Sequence, residues 1–276
     1  MKELALYNLK EGMVLAKDIT TPSGQVVLEK GKELTKQSIL RLSFYNIKSA
    51  CIVDVEEKQA APKSYSQKIK TSQKFQSFQV DHTIVLSQIR VSFEGYVNEG
   101  RPLDTVVLLS KVIELFQSCK TSLELFNMLH NMHSSDDSVY VHSLNVSLIC
   151  RQIGKWIKAD DATLDMLTLA GLLHDIGKLR IPTELLNKPG KYTDEEFAQV
   201  KLHTQYGYDL LKPLPLDAHI KLAALSHHER CDGTGYPNGL KTNDIDPYAR
   251  VVAIADVYDA MTTARSYRAP LCAFQV

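Results

Sequence analysis

The sequence predicts a mainly α protein in which a small α+β module precedes an all-α helical bundle. Short β-type runs separated by glycines occur only before about residue 55. After Pro102, apolar residues recur at helical spacing in one segment after another, and capping residues stand where several of those segments begin. We therefore expect an accessory module over residues 1–56, a linker with helical segments over 57–100, and a helical domain over 101–276.

The overall composition limits the classes of function. The chain has 276 residues, of which 44% are hydrophobic and 23% charged, as in a globular protein with a real core. Its formal net charge of +0 gives no basic excess for binding a nucleic acid polymer or an anionic membrane. The apolar runs are too short to span a bilayer, and the N-terminus has no signal-peptide pattern. The five cysteines form no CxxC pair, which is typical of a reducing compartment, so we expect a cytoplasmic location.

The N-terminal module is expected to combine short strands with one helix. Thr35 is a candidate cap for a helix over Gln37–Leu42, and Ser23-Gly24 is a hairpin-type turn. The β-type runs are Met13–Ala16, Gln25–Leu28 and Ser49–Val53. Because no residue of this module has an evident chemical role, a packing or regulatory function is favoured.

A change in composition marks the region that follows. From Glu56 to Gln79 the chain is rich in Lys, Gln and Ser and contains Pro62. This pattern is typical of a linker or a solvated helix. His82 lies just beyond it without an evident partner, and we interpret it as an ordinary surface histidine.

The larger domain is predicted to contain several amphipathic or buried helices. Thr121 and Thr193 each begin a capping-box pattern, with a glutamate three residues later. Asp246-Pro247 is typical of the start of another helix. The predicted helices include Leu103–Phe116, Leu123–Met132, Tyr140–Ile157, Met166–Leu173, a helix opened by Thr193 that contains His203, and Tyr248–Thr262.

One histidine–aspartate pair is the strongest chemical signal in the chain. The apolar helix Met166–Leu173 ends on His174 and Asp175. A carboxylate at a buried helix end costs free energy unless it is paired or bound to a metal ion. The pair is therefore either a set of metal ligands or a hydrogen-bonded structural pair in the core.

Other polar residues of the helical domain favour the metal interpretation. Helical bundles build metal sites from side chains on facing helices, and seven candidates lie on predicted helices or at their ends. They are His142, His174, Asp175, His203, His227, His228 and Asp256. Imidazole and carboxylate donors without cysteine favour two divalent ions of the iron or manganese type over tetrahedral zinc. Two such ions can activate a water and stabilise an in-line displacement at phosphorus.

The order of these residues resembles that of a known family. The motifs are His142-Ser143, His174-Asp175-Ile176-Gly177-Lys178, Lys201-Leu202-His203, His227-His228-Glu229-Arg230-Cys231-Asp232-Gly233-Thr234-Gly235-Tyr236-Pro237, Ile254-Ala255-Asp256 and Arg265-Ser266-Tyr267-Arg268. Together they resemble the HD-GYP domain, the phosphodiesterase class of the HD superfamily that hydrolyses cyclic di-GMP. The fold implied is an HD-type all-α bundle. The N-terminal module resembles, less specifically, one that often precedes HD-GYP domains.

The resemblance implies a binuclear metal centre. The ligands implied for one ion are His142, His174, Asp175 and Asp256, and those for the second are His203, His227 and His228, with Asp175 bridging. Trinuclear members of the family carry a glutamate about one helical turn before the first histidine. Here that place holds Ser138, preceded by Asp136 and Asp137, so two ions are expected.

The resemblance also implies how substrate is bound. Asp175 and Lys178 are expected to be catalytic, with Lys178 beside the scissile phosphate. Arg265 and Arg268 are expected to face the phosphates of the dinucleotide, so that local positive charge meets an anionic substrate on a neutral protein. Tyr236, in the Gly-Tyr-Pro loop, is either a guanine-facing residue or a simply packed aromatic.

The same loop leaves further alternatives open. Glu229 and Arg230 either orient the ligand imidazoles or form a surface ion pair. The loop could also contact a protein partner, and a homodimer is left open.

The expected function is metal-dependent hydrolysis of cyclic di-GMP to linear pGpG and/or GMP in bacterial second-messenger signalling. A second hypothesis keeps the chemistry but replaces the substrate with another cyclic nucleotide or dinucleotide. A third is a non-catalytic ligand-sensing or scaffold protein. Metal content separates the third hypothesis from the first two, and a substrate panel separates those two from each other.

The C-terminus departs from the family pattern. Family members continue for several helices after the Arg-x-Tyr-Arg motif, whereas this chain stops at Val276. The early stop predicts reduced stability and an exposed apolar face, and it favours the scaffold hypothesis.

Overall fold

A computed structural model describes residues 2–21, 26–45, 47–53, 65–132 and 139–262 of the chain. The chain divides into two compact units, Met1–Ser64 and Tyr65–Val276. Each unit has a hydrophobic core of its own.

The first unit is a small α+β structure. Its elements are β1 (Lys2–Ala5), a 3-10 turn (Leu6–Asn8), β2 (Ile19–Thr20), β3 (Val26–Leu28), α1 (Lys36–Phe44) and β4 (Ser49–Ile52). β1 pairs with β4 and β2 pairs with β3, both antiparallel. Leu15, Leu34 and Leu42 are fully buried at its centre. The predicted α+β character is confirmed.

Two of the three predicted β-type runs form strands in this unit. Met13–Ala16 does not, because it pairs only at isolated positions, Val14 with Glu33 and Leu15 with Ile52. Thr35 caps α1 through a reciprocal pair of hydrogen bonds with the residue three positions on, so the helix begins at residue 36. The predicted turn at residues 23–24 lies outside the described residues.

The second unit is all-α in the part of the chain that is described. Its helices are α2 (Tyr65–Lys70), α3 (Gln73–Glu99), α4 (Thr105–Gln117), α5 (Ser122–Asn131), α6 (Val139–Trp156), α7 (Asp161–Leu173), a 3-10 helix (Ile176–Arg180), α8 (Thr183–Leu186), α9 (Asp194–Lys201), α10 (His203–Leu211), α11 (Ala218–Ser226) and α12 (Pro247–Thr262). None of these helices is both long enough and apolar enough to cross a membrane.

The segment predicted as a linker belongs to this helical unit from residue 65 onward. Phe75, Phe78, Ile89 and Phe93 of α3 are buried in its core. His82 is only 2% exposed, so its assignment to the surface is wrong. The part of this polar region that lies in α3 is on the exposed face of the helix, at Gln73, Lys74, Gln76, Ser77 and Gln79. Their abundance concealed an amphipathic helix.

α6 and α7 lie side by side in the core of the unit. Leu144, Leu148 and Leu172 are fully buried there. The two helices approach closely at Gly171, where a Cβ atom would lie 2.9 Å from Cα of Ser147. This packing fixes the ends of α6 and α7 relative to each other, and both ends carry candidate ligands.

The predicted helix starts are confirmed where the capping signal is local. Thr121 and Thr193 each accept a hydrogen bond from the amide three residues on, and α12 begins at Pro247. One prediction needs correction, because the helix opened by Thr193 ends at Lys201 and His203 begins a new helix. This break places the His203 side chain beside the last turn of α9.

Candidate metal centre

Five helices bring the predicted ligands to one buried place. His142 comes from the first turn of α6, His174 and Asp175 follow α7, His203 begins α10, His227 and His228 follow α11, and Asp256 lies within α12. His174, Asp175, His203 and His227 are almost fully buried. Ligands far apart in the sequence therefore converge because helix ends meet at the core.

The carboxylate of Asp175 lies at the centre, and each of its oxygens faces different histidines. Oδ2 lies 3.3 Å from His174 Nε2 and 3.6 Å from His142 Nε2. Oδ1 lies 3.4 Å from His203 Nε2 and 3.6 Å from His227 Nε2. Hereafter the His142 set is His142, His174 and Asp256, and the His203 set is His203, His227 and His228.

Both sets have spacings that suit a bound cation. The candidate ligand atoms of Asp175 and the three histidines of the His203 set all lie within 4.8 Å of one another. The same holds for Asp175, His142 and His174. Asp256 adds an oxygen 2.9 Å from His142 Nε2 and another 3.9 Å from His228 Nδ1.

Two buried atoms at this centre have no hydrogen-bond partner among the described residues, Nε2 of His174 and Oδ1 of Asp175. An unpaired buried polar atom costs about 1–3 kcal/mol. A divalent cation bound by these atoms would remove that cost, and imidazole nitrogens with carboxylate oxygens are a suitable donor set. The residues present therefore fit a metal ion, and this cluster could bind one.

Three of the histidines are oriented by the ends of helices next to them in the sequence. The last carbonyl groups of a helix have no intrahelical partner, and these histidines satisfy them with Nδ1–H. The nitrogen facing Asp175 is then the unprotonated Nε2. The pairs are His174 with Gly171 (2.7 Å), His203 with Val200 (2.6 Å), and His227 with Ala223 (3.0 Å) and Ala224 (3.1 Å).

His142 is oriented by a carboxylate from another helix. Its Nδ1 donates to Oδ2 of Asp259 at 2.8 Å, and Oδ1 of Asp259 accepts from Asn145 Nδ2 at 3.0 Å. Neither partner was predicted from the sequence. Asn145 lies three residues after His142, and Asp259 lies three residues after Asp256, so each pair shares one helix face. That three-residue spacing is the feature of the sequence that could have indicated these two partners.

The charges of the cluster strongly shift the pKa values of its groups. Burial alone lowers the pKa of His142, but hydrogen bonds to Asp256 and Asp259 and their charges raise it to about 10. Burial alone raises the pKa of Asp175, but the Lys178 ammonium holds it well below its ordinary value. His142 likewise holds the pKa of Asp256 low against the effect of burial. Both carboxylates are therefore ionised at neutral pH.

Two histidines of the His203 set are kept neutral by burial. Desolvation lowers the pKa of His203 to about 3 and that of His228 to about 2. Desolvation also lowers the pKa of His174. A neutral imidazole is the form that binds a metal ion, so these rings are ready as ligands at neutral pH.

Lys178 lies beside Asp175 at the edge of the cluster. Its Nζ donates to Oδ2 of Asp175 at 2.5 Å, and 24% of its side chain is exposed. The 3-10 helix that carries it packs tightly on α10 at Gly177, where a Cβ atom would lie 2.0 Å from the carbonyl oxygen of His203. Only glycine allows the elements carrying Asp175 and His203 to come so close.

Tyr236 of the Gly-Tyr-Pro loop packs on a candidate ligand. Its ring stacks on that of His228, with centroids 4.7 Å apart and planes 29° apart. Phe197 meets the Tyr236 ring edge-on at 6.1 Å, and Lys201 Nζ lies 5.6 Å from its centroid. Burial and the two nearby carboxylates raise the pKa of the phenol. The hydroxyl is therefore protonated at neutral pH and can donate a hydrogen bond.

Glu229 holds the same loop. Its buried carboxylate accepts hydrogen bonds from the backbone amides of Asn238 (2.6 Å) and Leu240 (2.9 Å). It therefore orients the loop, and neither predicted alternative, orienting an imidazole or forming a surface ion pair, applies to Glu229. Arg230 lies 3.8 Å from Asp232 with 70% of its side chain exposed, which matches the surface ion-pair alternative.

Several predicted residues lie outside the described part of the chain. They are Arg265 and Arg268, expected to face the substrate, and Ser138 with Asp136 and Asp137, which bear on a third metal ligand. Their expected roles stay predictions.

Comparison with known proteins identifies relatives of this chain. Residues 122–275 match the HD domain family. Cyclic di-GMP phosphodiesterase PA4108 of Pseudomonas aeruginosa is 39% identical over 170 residues, which are 61% of this chain and 41% of that protein. A cyclic di-GMP phosphodiesterase of Thermotoga maritima is 39% identical over 153 residues, 54% of this chain and 40% of that protein.

A third relative has a different substrate in its name. The 3'3'-cGAMP-specific phosphodiesterase 2 of Vibrio cholerae is 37% identical over 154 residues, 55% of this chain and 30% of that protein. The chain thus spans less than half the length of each of these three curated relatives.

A solved structure supports the fold. Bd1817, a HDG"Y"P protein from Bdellovibrio bacteriovorus, aligns with a TM-score of 0.54 and 18% identity, covering 95% of this chain and 88% of that one. At this identity the likeness shows the fold alone. The predicted helical fold class and the resemblance to cyclic di-GMP phosphodiesterases with an HD domain are confirmed, and the chain belongs to the HD domain family.

Proposed function

We propose that this protein is a metal-dependent phosphodiesterase that hydrolyses cyclic di-GMP to linear pGpG and/or GMP. The observation that carries the proposal is the Asp175 carboxylate, whose two oxygens face two separate groups of imidazoles. A carboxylate shared between two ligand groups suits a pair of metal ions, the arrangement that many hydrolases of phosphate esters use. The relatives named cyclic di-GMP phosphodiesterases support the substrate.

The proposed cofactors are two divalent ions, iron or manganese. The His142 set and Oδ2 of Asp175 would hold one ion, and the His203 set and Oδ1 of Asp175 would hold the other. When bound, such ions lower the pKa of a water and neutralise charge on phosphoryl oxygens. The nitrogen and oxygen donors, without thiolate, support this choice of metals.

Lys178 is proposed to act on the scissile phosphate. One of its N–H groups is used by Asp175, and its partly exposed ammonium has others free to donate to a phosphate oxygen. Its charge would stabilise the negative charge that develops there during cleavage. Arg265 and Arg268 are proposed to neutralise the phosphates of the dinucleotide, on the basis of the family motif.

Tyr236 is proposed to contact the substrate through its hydroxyl. One face of its ring already stacks on His228, so that face is not available to a guanine base. The protonated phenol remains a donor beside the metal centre. A predicted protein partner at this loop, a homodimer, a cytoplasmic location and the lack of a membrane association stay predictions.

A second candidate substrate is another cyclic dinucleotide. Two Vibrio cholerae relatives named 3'3'-cGAMP-specific phosphodiesterases are each 37% identical to this chain in the matching region. Both substrates have two phosphodiester bonds, so the metal centre and Lys178 would serve either one. A non-catalytic scaffold is less well supported, since the complete ligand set converges on one centre.

The proposal is tested on protein purified without oxygen, with metal analysis and hydrolysis measured on one sample. We expect two ions per chain and faster conversion of cyclic di-GMP than of 3'3'-cGAMP, and we expect His174→Ala to lose both metal and activity. Hydrolysis of 3'3'-cGAMP alone would show that the substrate is 3'3'-cGAMP and not cyclic di-GMP. Metal-loaded protein that hydrolyses neither compound would contradict the proposal, and folded protein without metal would favour the scaffold.

A further inference from the structure

A line of buried side chains connects the metal centre to the long helix α3. Beyond the bond from His142 to Asp259, Asn145 Nδ2 donates to Asp259, and Asn145 Oδ1 lies 3.3 Å from Nε2 of His82 on α3. His82, Asn145 and Asp259 are only 2%, 4% and 4% exposed. None of these three belongs to the two ligand sets, so their burial needs another explanation.

The chemistry of the groups fixes the direction of each hydrogen bond. The Asp259 carboxylate can only accept, so Asn145 must turn its NH2 group toward it and its carbonyl oxygen toward His82. His82 then donates from Nε2. At the other end of the line, Asp259 accepts from Nδ1 of His142. The nitrogen of His142 that faces the carboxylates of the metal centre is therefore Nε2.

We propose that Asp259, Asn145 and His82 are positioning residues, which set the ring orientation of His142 and its strength as a metal ligand. A ligand histidine whose second nitrogen donates to a carboxylate is a more basic donor with a fixed ring. His142 needs such a partner because it lies inside α6, where the nearby carbonyl groups serve the helix. The inference rests on the metal centre of the proposed function and does not depend on its substrate.

His82 has its own part in this arrangement. An asparagine amide can turn by 180°, which would place Oδ1 of Asn145 against the Asp259 carboxylate and repel it. The donor from His82 favours the productive orientation, because a turned amide would present NH2 to the N–H of His82. His82 would thus stabilise the position of Asp259 through Asn145, without contact with the metal centre.

The test is metal retention by purified, metal-loaded protein in a graded series of EDTA concentrations. Asp259→Asn should release one ion at about tenfold to hundredfold lower EDTA than wild type, with the second ion less affected. His82→Phe should show a smaller shift in the same direction. His82→Gln, whose amide can still donate to Asn145, should stay near wild type.

The two His82 variants separate a positioning role from a space-filling role. A role limited to packing predicts the opposite order, because Phe resembles the buried imidazole ring more closely than Gln does. Thr168→Val serves as the control for general destabilisation, since Thr168 is buried in α7 and bonded to Arg151 and its own helix. We expect it to retain metal as wild type does.

Three results would overturn the inference: wild-type metal retention by Asp259→Asn, better retention by His82→Phe than by His82→Gln, or equal loss in Thr168→Val. Hydrolysis is measured separately on the same samples. Protein that shows the expected order of metal retention but hydrolyses no cyclic dinucleotide would refute the proposed function alone. Wild-type protein that retains no ion would refute both.

Discussion

The two ligand sets around Asp175 are held in place by different means. In the His203 set, His203 and His227 bond to carbonyl groups three or four residues earlier in the chain. In the His142 set, His142 depends on Asp259, which lies 117 residues away on another helix. Two histidines of the His203 set are therefore oriented by local backbone, as His174 is in the other set, whereas His142 is oriented by a long-range side-chain contact.

This difference determines which structural changes would disturb the ligands of each set. The local bonds of the His203 set form whenever α9 and α11 form, so they are vulnerable mainly to changes in how those helix ends pack. The His142 set needs α6, α12 and the buried polar line between them to be in place together. The metal ion of the His142 set should thus respond to substitutions far from it.

The largest effect is expected where the two sets meet. Asp175→Asn keeps the shape of the side chain but removes the charge shared by both sets, so both ions should be lost together. Hydrolysis of cyclic di-GMP should fall by at least about 1,000-fold. Metal analysis and initial rates test this, with Asp209→Asn on the exposed face of α10 as a control. Retention of one full equivalent of metal would contradict the shared-carboxylate arrangement.

The packing of the His203 set can be broken at Gly177. In Gly177→Ala the new Cβ atom would lie 2.0 Å from the carbonyl oxygen of His203 and 2.4 Å from the amide nitrogen of Gly207, so α10 must move. We expect a loss of about 2–3 kcal/mol in the free energy of unfolding, a decrease in Tm of about 5–10 °C, and weaker metal binding by the His203 set.

Gly207 is the matched control at the same contact. An Ala Cβ there would have its nearest neighbour at 3.5 Å, an ordinary contact. Because alanine also has the higher helix propensity, Gly207→Ala should leave Tm unchanged or slightly raised. Equal destabilisation by both variants would show that the close approach at Gly177 is not the cause.

A substitution in the loop beside the His203 set should affect substrate binding without affecting metal binding. Glu229→Gln removes the charge that holds the amides of Asn238 and Leu240, and one amide loses its acceptor. Hydrogen bonds to charged groups contribute about 1.5–3 kcal/mol, so we expect kcat/KM for cyclic di-GMP to fall about tenfold. Metal content should stay at the wild-type level. Loss of metal in this variant would assign Glu229 to the centre itself.

The smallest effect concerns the pH dependence of stability due to His82, at the far end of the buried line of side chains from His142. Burial lowers the pKa of His82, only partly offset by Asn145 and Asp259. The His82 imidazole therefore binds a proton more readily in the unfolded chain than in the folded protein. The stability that the neutral His82 contributes is lost as pH falls below about 6.5. Relative to His82→Gln, wild type should lose up to about 1.4 kcal/mol per pH unit there. Denaturant unfolding at several pH values measures this, and parallel pH profiles would contradict it.

The sequence was sufficient for features that depend on near neighbours. Thr121, Thr193 and Asp246 predicted helix starts because a cap and its partner lie within a few residues. The fold class followed from helical periodicity after residue 102. Residues 57–100 were predicted as a linker with helical segments. The described part of this range does contain α2 and α3, but the burial of α3 in the core was not predicted, because its polar face dominates the average composition.

The candidate site was predictable in part for the same reason. The ligand residues stand in short motifs, and His174 and His227 follow helix ends that can be recognised locally. Asp259 and Asn145 were missed because their partners lie on other helices, and only the shared three-residue spacing hints at them. His82 could not have been assigned, since its contact with Asn145 spans 63 positions.

The contact between His82 and Asn145 depends on the position of the long helix α3. A helix of 27 residues is about 40 Å long. A slip by one residue would advance it about 1.5 Å and rotate it about 100°. Such a rotation would remove the imidazole from Asn145 completely. A one-residue shift of α3 would therefore remove the donor that fixes the Asn145 amide, and with it one support for the orientation of His142.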